Sequence, residues 1–163
     1  MCGIAGLWFT SPTASADLQS QVAAMAAAIA HRGPDDAGVW CDPAAGLALA
    51  HRRLAILDLS PAGHQPMASA SGRYVIAFNG EIYNHQALRR ELEAAGSLQQ
   101  SWQGHSDTET LLAAIEAWGL AATLRRCAGM AALALWDRRE RVLHLARDRF
   151  GEKPLYWGWL QAG

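Results

Sequence analysis

The chain is short of several things at once, and each shortage removes a class of function. Its three cysteines, Cys2, Cys41 and Cys127, are too irregularly spaced for a disulfide framework or a zinc pattern, and the six histidines add no recognisable ligand spacing. No apolar run approaches the ~20 residues of a membrane span. No basic segment precedes the apolar stretch within Met1–Thr10, as a secretory signal or a lipidated cysteine would need. There is no run of lysine or arginine and the formal net charge is −1, so nucleic acid and anionic membrane surfaces are not expected partners. A reduced, cytoplasmic setting is expected. What the chain has in quantity is apolar surface. With 51% hydrophobic and 18% charged residues over 163 positions, it has the size and composition of one globular domain with a real core.

Short apolar segments alternate with helical patterns, and no polar linker divides residues 1–163. Strands are predicted at Gly3–Phe9, Val39–Cys41, Leu47–Ile56, Tyr74–Phe78, Met130–Trp136, Val142–Ala146 and Leu155–Leu160. Leu18, Val22, Met25 and Ile29 fall at helical spacing on an alanine-rich segment that Gly33-Pro34 ends. Further helices are predicted at His85–Ala95 and Thr108–Trp118, the latter opening on Ser106 and Glu109 at capping-box spacing and stopping at Gly119. Strand runs with helices between hairpins predict an α+β fold with antiparallel sheets. The final segment, with Leu155, Tyr156, Trp157, Trp159 and Leu160, is too apolar to stand uncovered. Two readings cover it: a domain cut short at its C-terminus, or a homodimer contact.

Cys2 becomes the first residue once Met1 is removed, and its small side chain makes that removal expected. It would then carry a thiol and a free α-amine on one residue, so the amine can act as general base for its own nucleophile. Gly3, Ile4, Ala5 and Gly6 read as a buried strand whose small residues admit close neighbours. In Ala50–Asp58, alternation puts His51 and Arg53 on one face. An inward arginine is costly unless an anion meets it, and its planar fork suits a carboxylate. Arg53 is therefore either the anchor of an amino-acid substrate or a surface or ion-paired arginine. Asn79-Gly80 would ordinarily mark a hairpin turn, yet a helical pattern follows it. The Asn79 amide beside the unhindered Gly80 N–H gives two converging donors, as a tetrahedral oxyanion requires. Asp107, in the first turn of a helix, either answers the helix dipole or holds a substrate ammonium. His31–Asp36 reads as a helix stop. The mixed charges of Arg147–Lys153 form a solvated turn or a contact with a neighbouring domain.

Taken in order, Met1–Gly6, His31–Asp36, Arg53–Asp58 with His64–Met67, Asn79–Asn84, Ser106-Asp107 and Arg147–Tyr156 resemble the glutamine amidotransferase domain of the asparagine synthetase family. That domain is an N-terminal-nucleophile hydrolase. The resemblance runs the length of the chain and implies an αββα sandwich of two mainly antiparallel sheets. It also implies roles: Cys2 attacks the side-chain amide of glutamine, Asn79 and Gly80 hold the oxyanion, Arg53 takes the α-carboxylate, and Glu81 and Asp107 take the α-ammonium. The family's second half, an ATP-pyrophosphatase synthetase domain with a Ser-Gly-Gly phosphate loop, has no counterpart in residues 1–163. ATP and Mg are therefore expected only in that missing domain, joined in cis or in trans, and no cofactor or metal in this one. Arg126–Leu133 carries small residues where the family tends to place aromatics. A module of another class, binding glutamine without turnover, is the alternative, but every expected catalytic position is filled with the expected residue type.

Overall fold

The computed structural model describes residues 1–9 and 15–159. In chain order its elements are β1 (Gly3–Trp8), α1 (Ser15–Ala28), a 3-10 turn at Ala30–Arg32, β2 (Asp36–Asp42), β3 (Leu47–Arg53), β4 (Met67–Ala68), β5 (Tyr74–Ile82), α2 (His85–Ala94), α3 (Asp107–Trp118), α4 (Leu120–Arg126), β6 (Gly129–Asp137) and β7 (Val142–Arg147). One sheet has the order β1-β3-β2, the other β4-β5-β6-β7, and every pairing is antiparallel.

Three strands are apolar on both faces, which forces a layered arrangement, because each face must find its own cover. Ala48 and Ala50 of β3 meet Leu18, Val22 and Ala26 of α1. Leu47 and Leu49, on the opposite face, meet Val75 and Ala77 of β5 and Ala134 and Trp136 of β6, forming the core between the sheets. The alternate residues Ile76, Phe78, Leu133 and Leu135 pack on Leu111, Leu112 and Ile115 of α3 and Leu88 of α2. The result is the expected αββα sandwich. Continuing the period of two along β5 carries Asn79 and Glu81 onto the inter-sheet face, and along β3 it carries His51 and Arg53 onto the same face. The polar end of this sandwich is where the strands run out of apolar residues.

Four expectations need correction. β5 runs straight through Asn79-Gly80 to Ile82, because β6 offers a ladder partner at every position down to Gly129. β3 stops at Arg53, where its neighbours' ladders also end, so Leu54–Ile56 is loop. Leu155–Trp159 is not a strand, and Leu160 lies outside the described residues. The chain after Arg147 instead curls on itself: the Asp148 carboxylate accepts the N–H groups of Ala131, Glu152 and Lys153, and the Arg147 guanidinium donates to the Gly151 and Lys153 carbonyls. Tyr156, Trp157 and Trp159 are left 92%, 73% and 81% exposed. Finally, α4 was not foreseen. Gly119, at φ 78°, ends α3 and lets a second short helix restart at once. The small residues of β6 do not leave it loosely packed, since Ala132 and Leu133 are fully buried and Trp136 supplies the bulk.

His51 sits between the sheets at 1% exposure, donating from Nε2 to the Phe78 carbonyl at 3.0 Å, while its Nδ1 has no partner. Burial pushes its pKa down to about 4. Above about pH 6.5 the ring is neutral folded or unfolded. As pH falls from there toward about 4, only the unfolded chain takes up the proton, so stability is lost in that window, by about 3 kcal/mol. Denaturant unfolding at stepped pH should record this slope. His51→Gln, which can still donate to Phe78, should flatten most of it. The remainder would combine His85, which burial also pushes down, with, below about pH 5, the lowered carboxyls of Asp36, Asp58 and Asp137 and the raised, opposing one of Asp107.

Candidate active site

The predicted residues converge at the polar end of the inter-sheet layer. Cys2, Arg53, Asn79, Gly80, Glu81 and Asp107 all line one cavity of about 150 Å³. Cys2 lies one residue ahead of β1, half-buried, with Sγ 3.4 Å from the Leu54 N–H and 3.7 Å from the Leu54 carbonyl. A side chain at Gly3 would push against Ile29 Cδ1, 2.8 Å away, and require that side chain to shift. Met1 still precedes the cysteine, 58% exposed, its sulfur 3.2 Å from the buried ammonium of Lys153.

Ladder geometry decides what Gly80 can do. In an antiparallel pair, opposed residues alternate between exchanging hydrogen bonds and turning away from each other. Ala131, opposite Gly80, gives its N–H to Asp148 Oδ2 (3.2 Å) and its carbonyl to the Asp148 N–H (2.7 Å), while Tyr83 donates to Ala128 at 2.8 Å. Gly80 therefore belongs to a non-bonded pair, and its N–H points out of the ladder. The equivalent outward groups on either side are occupied. Phe78 N–H is taken by Gln65 Oε1 at 2.7 Å, and Ile82 N–H by Asp107 Oδ2 at 2.8 Å. Gly80 N–H lies between them and opens on the cavity. Glycine is needed here, since a Cβ would strike the Met130 carbonyl and the Phe78 ring. Asn79, 4% exposed, lines the same cavity from the inter-sheet face.

Charge is arranged at two ends. Arg53, 8% exposed, donates to the Ser60 carbonyl at 3.0 Å and to the Asp58 carbonyl, with the rest of its fork on the cavity. Neither acceptor is an anion; the carboxylates of Asp58 and Asp36 are near enough to feel the guanidinium charge, but neither is hydrogen-bonded to it. Asp107 begins α3 at 6% exposure, and burial pushes its carboxyl up despite the Ile82 N–H. Nearby His85 is held toward neutrality by burial and supplies little countercharge. An ammonium arriving at Asp107 would relieve that cost. Ser106 caps α3 by accepting the Glu109 N–H at 3.2 Å, as expected, but Glu109 does not reciprocate. Its carboxylate takes Gln103 and Gly104 N–H and pairs with Arg89.

Two neighbours of the site, Arg32 and Gln65, lie in segments that carry the resemblance but have no role assigned from the sequence. Arg32, within the presumed helix stop, donates from Nε to the Cys2 carbonyl at 3.1 Å, and its Nη2 is buried without a partner. Gln65 spans the layers, bonding Phe78 N–H and, at 3.2 Å, Thr108 Oγ1. Neither has a local sequence signal, because their partners lie 30 and 43 residues away in one case each. Among the described residues no group of histidine, cysteine, aspartate and glutamate converges as a metal site, and no helix is long and apolar enough to cross a membrane.

Residues 1–163 match the family described as the glutamine amidotransferase domain. The chain is 41% identical over 158 residues to asparagine synthetase (glutamine-hydrolyzing) 1 of Bacillus subtilis strain 168, covering 96% of this chain and 24% of that protein. It is 39% identical over 163 residues to asparagine synthetase B (glutamine-hydrolyzing) of Escherichia coli K12, covering 100% and 28%. The chain thus spans about a quarter of the length of these curated relatives. Among solved structures it resembles the glutamine phosphoribosylpyrophosphate amidotransferase from B. subtilis, with a TM-score of 0.61 at 20% identity over 83% of this chain and 34% of that one. That likeness supports the layered fold.

Proposed function

From a chain that belongs to the glutamine amidotransferase domain family, on its asparagine synthetase branch, we propose hydrolysis of glutamine to glutamate and ammonia at the Cys2 cavity. The observation that carries this is convergence: residues dispersed from position 2 to position 107 line one small cavity, with a thiol, two oxyanion donors, a cationic end and an anionic end. Glutamine offers a matching set, a carboxamide to attack and a zwitterionic head to hold.

With Met1 removed, the α-amine of Cys2 takes the thiol proton as sulfur attacks the carboxamide carbon. The oxygen gathers negative charge against the Asn79 amide and the Gly80 N–H. The same amine then returns the proton to the leaving nitrogen, which departs as ammonia and leaves a thioester. Water, deprotonated by the amine, adds to the thioester carbon, and its collapse releases glutamate and restores the thiol. Arg53 holds the α-carboxylate throughout, while Glu81 and Asp107 hold the α-ammonium.

The ammonia would feed an ATP-dependent amidation in a synthetase domain, in cis or in trans, and ATP and Mg belong to that partner. Phe150, Tyr156, Trp157 and Trp159, all more than 70% exposed, offer such a domain an apolar surface to cover. A homodimer is the other cover for that surface.

Two readouts on the Met1-processed chain test the proposal: equimolar glutamate and ammonia from glutamine, and mass-mapped labelling of Cys2 by a diazoketone analogue of glutamine. Both are expected. Folded, processed protein that gives neither would overturn the reading, and glutamine affinity without turnover would convert it to a silent binding module.

A further inference from the structure

Asp58 lies in the loop between β3 and β4, 6% exposed, on the wall of the cavity. Its Oδ1 accepts the Ser60 N–H at 2.8 Å and the Ser60 hydroxyl at 2.6 Å, and its Oδ2 accepts the His105 N–H at 2.7 Å. Its own main-chain carbonyl accepts from the Arg53 guanidinium. One residue therefore grips Arg53 through its backbone and the segment before Asp107 through its side chain. Gly104 is what allows the approach, since a Cβ there would collide with Asp58 Oδ2 and would lie 2.8 Å from Ala62 Cβ. From the other side the buried Arg89 donates to the carbonyls of Gly104 at 2.9 Å and Ser106 at 3.0 Å. The segment leading into Asp107 is thus pinned between Asp58 and Arg89.

We propose that Asp58 is a positioning residue that fixes the spacing between Arg53 and Asp107, and so sets how well the zwitterionic head of an α-amino acid is held. This rests on the reading of those two residues as the carboxylate and ammonium clamps. The two charges of the substrate sit on one carbon, so the clamps must hold a fixed separation, and small misplacements of such groups are expensive. The Ser60 hydroxyl and then the His105 N–H hold the Asp58 carboxyl down to about 2, so the tie stays ionised at any working pH.

The test is Asp58→Asn, nearly the same size but with an NH₂ facing a donor on one side or the other. Steady-state rates are compared for glutamine and for glutaramate, which lacks the α-amine. The expected result is a KM for glutamine raised about tenfold with kcat little changed, and a preference for glutamine over glutaramate reduced by a similar factor. A purely structural role would lower thermal stability and leave that preference intact, and such a result overturns the inference. Gly104→Ala, which keeps the carboxylate but displaces it, should move both quantities the same way to a smaller extent, and it serves as the variant if Asp58→Asn does not fold. Calorimetric Kd values for glutamine separate the two readings. If the wild type binds glutamine without hydrolysing it, the glutaminase reading falls while the clamp is still measured. Equal affinities in wild type and variant overturn the clamp alone, and a wild type that does not bind glutamine overturns both.

Discussion

Cys2→Ala in the Met1-processed chain is expected to lower kcat for glutamine on the order of 10⁶-fold, to the limit of detection, because it removes the nucleophile and not an accessory group. Binding should survive. Among the described residues the sulfur's hydrogen bonds are to the backbone of Leu54, 3.4 and 3.7 Å away, and none is to Arg53 or Asp107. Alanine keeps the same free amine in the same place, so any lost activity is attributable to sulfur. Ammonia release measures the first half of the expectation and titration calorimetry the second. Turnover that persisted would move the chemistry away from this residue.

Asn79→Ala should cost less, about 10²–10³ in kcat, the usual consequence of losing one oxyanion donor while the other remains. KM should change little, since the amide is asked to act on charge that develops only during reaction. Asn79→Asp ought to be worse than alanine, because a carboxylate would face the oxyanion across the same short gap. An order of wild type, alanine, aspartate in kcat, at nearly constant KM, is the expected signature. A fall in affinity without a fall in kcat would instead make Asn79 a binding residue.

Much of the fold could be read from alternation alone. Leu47, Ala48, Leu49 and Ala50 announce a strand buried on both faces, and Arg53 and His51 fall on the side the period of two assigns them. The errors share one cause, that local residue type was allowed to stand for a tertiary partner. Asn-Gly is a turn signal only where no ladder holds it, and β6 holds it here. Leu155–Trp159 has strand-forming residues, but the preceding loop is wound around Asp148 and presents no ladder partner. The candidate site was legible because cysteine and asparagine are scarce, at three and two residues, and stand in motif order with Arg53, one of thirteen arginines that only its place on the strand singles out. Its supports were not. Asp58 bonds His105 across 47 positions, and nothing in either neighbourhood names the other.

The outward amide of Gly80 and the inward side chain of Asn79 are both matters of odd and even. If β5 slid one step along β6, Asn79 would rotate to the helix layer and Gly80 would surrender its amide to the ladder, so both donors would vanish in a single event; a slide of two steps would restore their orientations. The two proposed donors are thus insured by whatever keeps the register, and buried Trp136 or Leu133, neither of which lines the cavity, can remove them without altering one reactive atom.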